Sequence, residues 1–246
     1  MTTSLVDLMQ RIEPLHPDLQ PYVTAAAGSF PMLRHPLLYV VPYAEPMAAY
    51  ANAAYAAKCE AVEASLADDN FGRFVWLHER PFRAEALCDV AEALSDEAYW
   101  SLVRQVYQDS ENVEEVPKLW SHLLESSRPA RAAMMTPAEQ GALAAMPDTL
   151  TVWRGAADDA ELSSGFSWTL DIEVAHWFAC RFNQAGIVAR AEVSKHHVWA
   201  YLTSRGEEEI MAPVAAVAVR AIEPAQRTLA RAAHRKKLDI FSDAQL

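Results

Sequence analysis

The rhythm of hydrophobic and polar positions changes once along this chain, near Pro147. Before it the spacing is helical. The stretch 44–69, AEPMAAYANAAYAAKCEAVEASLADD, is rich in alanine, and Met47, Tyr50, Ala54 and Lys58 recur at the spacing of one helical face. Ser95 stands as the N-cap of SDEAYWSLVRQVYQDS, with acids in the first turn. VPKLWSHLLESS and TPAEQGALAAM repeat the signal, and Thr136, Pro137 and Glu139 spell a capping box with proline at the first helical position. The prolines between 14 and 46 predict a looped N-terminal wrap.

After Pro147 the pattern is that of strands. DTLTVWRG ends in glycine, and GIVARAEV alternates, with Ile187, Ala189, Ala191 and Val193 against Val188, Arg190 and Glu192. HVWAYLT, EEIMAP and AAVAVRAI are further strands. Between them DIEVAHWFACRFN reads as an amphipathic helix capped by Asp171 or Thr169, with Val174, Trp177, Phe178 and Phe182 on one side. The expected fold is α+β. A helical N-terminal region, 1–147, packs on a strand-rich region, 148–246, and the two form one cooperative unit, because about 100 residues of strand need a partner for one sheet face.

One stretch breaks the pattern: SRGEEEIMAP, residues 204–213, sets three carboxylates against buried strand. If the strand runs through them, Glu207 and Glu209 share a face about 6–7 Å apart and Glu208 faces away. Three of the seven glycines mark neighbouring positions: Gly155 after Arg154, Gly165 two before Ser167, and Gly206 before the acids. Glycine suits sharp turns and close approaches. An arginine fork binds phosphate, and a carboxylate stabilises a sugar cation as a leaving group departs, so the chemistry points to a phosphate-bearing glycoside. No GxGxxG or GxxxxGK[ST] is present, which excludes the two common nucleotide loops.

Charge and cysteine usage narrow the setting. The net charge is −12, and residues 1–145 hold 20 acids against 10 bases, so phosphate backbones are repelled and a nucleic-acid partner is disfavoured. The basic run 227–237 reads as the solvated face of a terminal helix. Cys59, Cys88 and Cys180 are scattered, which fits a reducing compartment and no metal site; His196 and His197, if in a strand, face opposite ways. No apolar run is long enough for a bilayer, and the N-terminus lacks an export signal, so a soluble, cytoplasmic protein is expected.

VWRG at 152–155, FSWT at 166–169 and EEEIMAP at 207–213 resemble, in order, the motifs of the arginine–serine–glutamate class of mono-ADP-ribosyltransferases. Here the middle motif is Ser-Trp-Thr where that class has Ser-Thr-Ser. The resemblance covers about residues 148–224 and implies a mixed β-sandwich with NAD held between its sheets. It implies Arg154 at the NAD phosphates and the backbone of Gly155 at the nicotinamide amide. Ser167 orients Glu209, which holds the ribose and stabilises the oxocarbenium-like transition state; Glu207 engages the acceptor and takes its proton. Ser167 and Thr169 belong to the NAD-binding motif, and Trp168 or Phe178 lines the nicotinamide pocket unless Phe178 serves the core. ADP-ribose would pass from NAD to a protein side chain, arginine first. An NAD glycohydrolase and a degenerate, non-catalytic binding module stand as alternatives, and the biological setting of a toxin, a secreted effector or a phage protein stays open.

Overall fold

The computed structural model describes residues 11–25, 29–110, 113–181, 186–231 and 233. It is α+β, and it forms two compact units: residues 1–95 with 102–112, and residues 96–101 with 113–246.

The first unit is not wholly helical. Strands β1 (Val23–Thr24), β2 (Met32–His35) and β3 (Leu38–Val40) form a three-stranded antiparallel sheet. They occupy the segment expected to be looped, since its prolines bracket the strands and Pro36 lies in the turn between β2 and β3. Helix α1 (Ala48–Ala67) follows. Its Ala51, with Met47, Ala54 and Tyr55, packs with Leu19, Leu33, Leu38, Val40 and Tyr43. The alanines let the helix approach this small sheet closely. Helices α2 (Phe71–Leu77) and α3 (Arg83–Val90) complete the local layer; α4 (Asp96–Asp109) begins just after Ser95 and contributes to both units.

In the second unit α5 (Pro117–Leu124) starts on proline, and α6 (Pro137–Ala145) carries the expected Thr136–Glu139 capping box. The sheet begins with β4 (Thr149–Ala156) at the change of rhythm, while the segment 113–147 belongs to the sheet's own compact unit. Then come α7 (Asp159–Ser164), β5 (Ser167–Thr169), α8 (Ile172–Ala179), β6 (Ile187–Ser194), β7 (Ala200–Leu202), β8 (Glu209–Met211) and β9 (Val217–Pro224). The strand order is β7-β8-β5-β4-β6-β9. Among the described residues every pairing in this unit is antiparallel, so they form one antiparallel sheet where a mixed sandwich of two sheets was expected. The sheet is nonetheless two ribbons, β7-β8-β5 and β4-β6-β9, joined by the single pair Trp153↔Thr169.

The inner strands of the sheet are packed on both faces, while β9 is largely exposed. On one, Leu150, Val152, Trp168, Ala189, Ala191, Tyr201 and Ile210 form the main core, closed by Met135, Leu143 and Met146 from the segment before β4. On the other, Ala175 and Ala179 of α8 pack on Val188 and Trp153. The helix lies so close to β4 that a Cβ on Gly155 would stand 1.8 Å from the Ala175 carbonyl oxygen. Glycine there is a packing requirement.

Candidate active site

The three motifs meet where the two ribbons join. Directly opposed residues share a sheet face. The row Leu202, Glu209, Thr169, Trp153 therefore lies on one face, and Ser167 and Gly155 lie on that face two residues along. The next pair in register after Trp153↔Thr169, Gly155 with Ser167, is not formed. The carbonyl of Ser167 instead accepts from Nη1 of Arg154 at 2.8 Å, and that of Glu161 accepts from Nη2 at 3.3 Å.

Arg154 sits on the opposite face, with Trp168. Its guanidinium lies flat against Gly165, where a Cβ would fall 1.9 Å from Cζ. The fork expected to face phosphates is thus engaged with backbone carbonyls that hold the start of β5. Two of the three glycines singled out in the sequence serve packing: Gly155 admits α8 and Gly165 admits Arg154. Trp168 is 4% exposed and belongs to the main core, which removes it from the expected pocket lining. Phe178 is half-buried on α8, edge-on to Trp177 at 4.9 Å and under the guanidinium of Arg181 at 4.6 Å.

The acid triplet departs from the alternating-face expectation. Strand β8 begins only at Glu209, and the two preceding acids lie in a turn. Gly206 has φ 64° and Glu208 φ 45°, both left-handed, so the chain coils rather than pleats. Glu207 is half-buried, Glu208 exposed and Glu209 buried. Thr169 fastens this turn: its Oγ1 donates to the Glu207 carbonyl at 2.6 Å and accepts from the Asp171 amide at 3.0 Å, while the Leu170 amide donates to the Glu208 carbonyl at 3.1 Å. Thr169, placed in a binding motif by sequence, is buried as a tie between β5, the turn and the head of α8. Asp171 caps that helix.

Glu209 is the chemically unusual group. Burial pushes its carboxyl up from 4.5 to about 7, and the neighbouring Glu207 charge pushes the same way. A hydrogen bond from the Ser167 side chain, then Arg205 and Arg154, pull it back down. A nearly buried carboxyl poised near neutrality, held by a serine and placed beside a second carboxylate, is an arrangement suited to stabilising positive charge that develops on a bound molecule.

Other candidates fall away from this site. His196 and His197 are exposed in a 3-10 turn rather than a strand, with ring centroids 5.7 Å apart, and no cluster able to hold a metal occurs among the described residues. Phe182 and residues 232 and 234–237 of the basic run 227–237 lie outside the described residues. Among the described residues no helix is long and apolar enough to cross a membrane. The contribution that sequence reading missed is that of α6, whose Glu139 reaches the turn after β7. The capping-box spelling announced Glu139, but only as a local cap.

No protein-family model, curated protein or solved structure matches this chain.

Proposed function

We propose that this protein transfers ADP-ribose from NAD to an acceptor side chain, with arginine the preferred acceptor, and releases nicotinamide. The observation that carries the reading is the pair Glu209 and Glu207. One carboxyl is buried, held by Ser167 and poised near pH 7; the other is half-buried on the adjoining turn. In this reading the glycosidic C–N bond of NAD breaks and its electron pair leaves with nicotinamide. Ionised Glu209 holds the ribose and stabilises the oxocarbenium-like centre. The acceptor nitrogen then bonds to that carbon and loses a proton to Glu207. A charged guanidinium is a very poor nucleophile, so an adjoining carboxylate is the group the acceptor needs. Ser167 orients Glu209. Arg154 fixes the start of β5 through the Ser167 carbonyl, and its half-buried positive charge favours the ionised form of Glu209 through the sheet.

The test pairs two readouts on the purified protein: nicotinamide released from NAD, and labelled ADP-ribose incorporated into lysate protein or polyarginine. Glu209→Gln is expected to lose both by roughly 10²–10³-fold, the usual scale for removing a preorganised stabilising group. Glu207→Ala is expected to lose incorporation while retaining release to water. Release without incorporation by the unmodified protein would assign it as an NAD glycohydrolase. Absence of nicotinamide release, or full release by folded Glu209→Gln, would refute the proposal.

A further inference from the structure

We infer that Glu139 of α6 is a positioning residue for the turn that carries Glu207, and that it governs how the donor divides between acceptor and water; this rests on the reading above of that turn as acceptor-facing.

Strand β7 is an edge of the sheet, and an edge strand presents unpaired amides. Here the amides of Tyr201 and Thr203, which do not pair with β8, meet side-chain acceptors from the preceding segment. Tyr201 donates to Sδ of Met135 at 3.2 Å, and Thr203 to Oε1 of Glu139 at 2.8 Å. The Thr203 hydroxyl donates to the same oxygen at 3.1 Å. The other oxygen, Oε2, accepts from the Thr136 amide at 2.8 Å and hydroxyl at 3.0 Å. One carboxylate, 3% exposed, therefore caps a helix with one oxygen and holds the chain with the other. The point it holds is where β7 ends and the turn begins, and the amide of Gly206 closes the turn on the Thr203 carbonyl at 2.9 Å.

The two acids of the site are anchored differently. Glu209 lies in β8, paired on both sides by Leu202 and Thr169. Glu207 lies in the turn, fastened by Thr169 at one end and, through Thr203, by Glu139 at the other. Releasing the Glu139 anchor frees the turn and leaves the sheet pairing around Glu209 in place. Transfer, which uses Glu207, should suffer more than cleavage of NAD, which uses Glu209. A capping residue with no further role would not produce this split.

The test compares Glu139→Ala, Glu139→Gln, Thr203→Val and the control Thr136→Ala in the full chain, by amide hydrogen exchange and by the paired NAD assay with polyarginine. In Glu139→Ala the amides of Thr203 and Gly206 are expected to exchange about ten-fold faster, the loss expected for one charge-assisted anchor. Incorporation is expected to fall about ten-fold and nicotinamide release less than about three-fold, by the same anchor loss acting on the turn alone. Glu139→Gln, which keeps one acceptor oxygen, and Thr203→Val, which keeps the amide, should fall between; these two carry the test if Glu139→Ala does not fold. Thr136→Ala should lower the melting temperature without changing the ratio of incorporation to release. Exchange in the Glu139 variants indistinguishable from Thr136→Ala would overturn the anchoring. Accelerated exchange with an unchanged ratio would overturn its consequence for partition. If the unmodified protein releases no nicotinamide, the proposed reaction and the partition fall together, while the exchange result still decides the anchoring.

Discussion

Replacing Glu209 by glutamine should make the protein more stable, and only above a defined pH. Glu209 is 7% exposed, and its carboxyl is raised from 4.5 to about 7 mainly by burial. The folded state therefore holds a proton that the unfolded chain gives up between those two values. By linkage, the contribution is fully present below 4.5 and is lost as the pH rises through 7. The difference is worth about 3 kcal/mol, at 1.36 kcal/mol per pKa unit, with little solvent screening to reduce it. Glutamine stays neutral and can still accept a hydrogen bond from Ser167. Near pH 4.5 the two proteins should be equally stable. At pH 8 Glu209→Gln should lead by about 2–3 kcal/mol, on the order of 5–10 °C in melting temperature for a chain of this size.

Urea denaturation of both proteins in half-unit steps from pH 4.5 to 8.5 measures this directly. The difference should rise through the interval and level off above 7. In the proposed reaction the same ionisation should appear, with nicotinamide release rising through about pH 7 to a plateau, because only the ionised form stabilises a cationic centre. A stability difference that does not vary with pH, or a Glu209→Gln protein less stable at pH 8, would refute the burial account. The sign matters for function as well. A group that costs stability in its working form marks a site where fold and activity pull apart.

Further outcomes follow from the backbone. Gly155→Ala should destabilise by about 1–3 kcal/mol or more, since the new Cβ meets the Ala175 carbonyl at 1.8 Å and α8 must shift; thermal melts measure it. Glu208→Gly should be neutral to stabilising by about 1 kcal/mol, because Glu208 holds φ 45° without glycine's freedom, and a lower melting temperature would contradict this. A fragment of residues 148–246 should lack a cooperative melt, because it loses Met135, Leu143 and Met146 from the main core and Glu139 from the edge of β7.

Much of the second unit was legible because its signals are local. Strand-like composition gave β4, alternation gave β6, the Thr136–Glu139 spelling gave the start of α6, and Asp171, one of two cap candidates, gave the start of α8. Three things were not legible, each for a physical reason. Short strands such as β1 to β3 leave too few residues for a period to show, and prolines at their ends look like loop. A glycine announces close approach but not what approaches; at Gly155 it is α8 and at Gly165 it is Arg154. An arginine beside a glycine suggests a free fork, whereas pleating puts Arg154 on the core face, where the Ser167 and Glu161 carbonyls take it up.

The acid triplet shows why its strand-based geometry failed and what the backbone puts in its place. Three carboxylates in a pleated strand would leave two on one face and one on the other, all equivalent in kind. The turn makes them unequal instead. Left-handed backbone at Gly206 and Glu208 coils the chain, so that Glu208 is exposed, Glu207 is half-buried with its carbonyl fixed by Thr169, and Glu209 alone enters the strand and is buried. Repulsion between Glu207 and Glu209 is then part of what holds the Glu209 carboxyl up, alongside burial. Ser167, Arg205 and Arg154 limit the rise, which keeps the group within reach of ionisation at neutral pH rather than locked as an acid. Neither effect needs the two side chains to be two residues apart on a pleat. Both need a buried strand start preceded by a tight acidic turn, and SRGEEEIM has that in its order of residues.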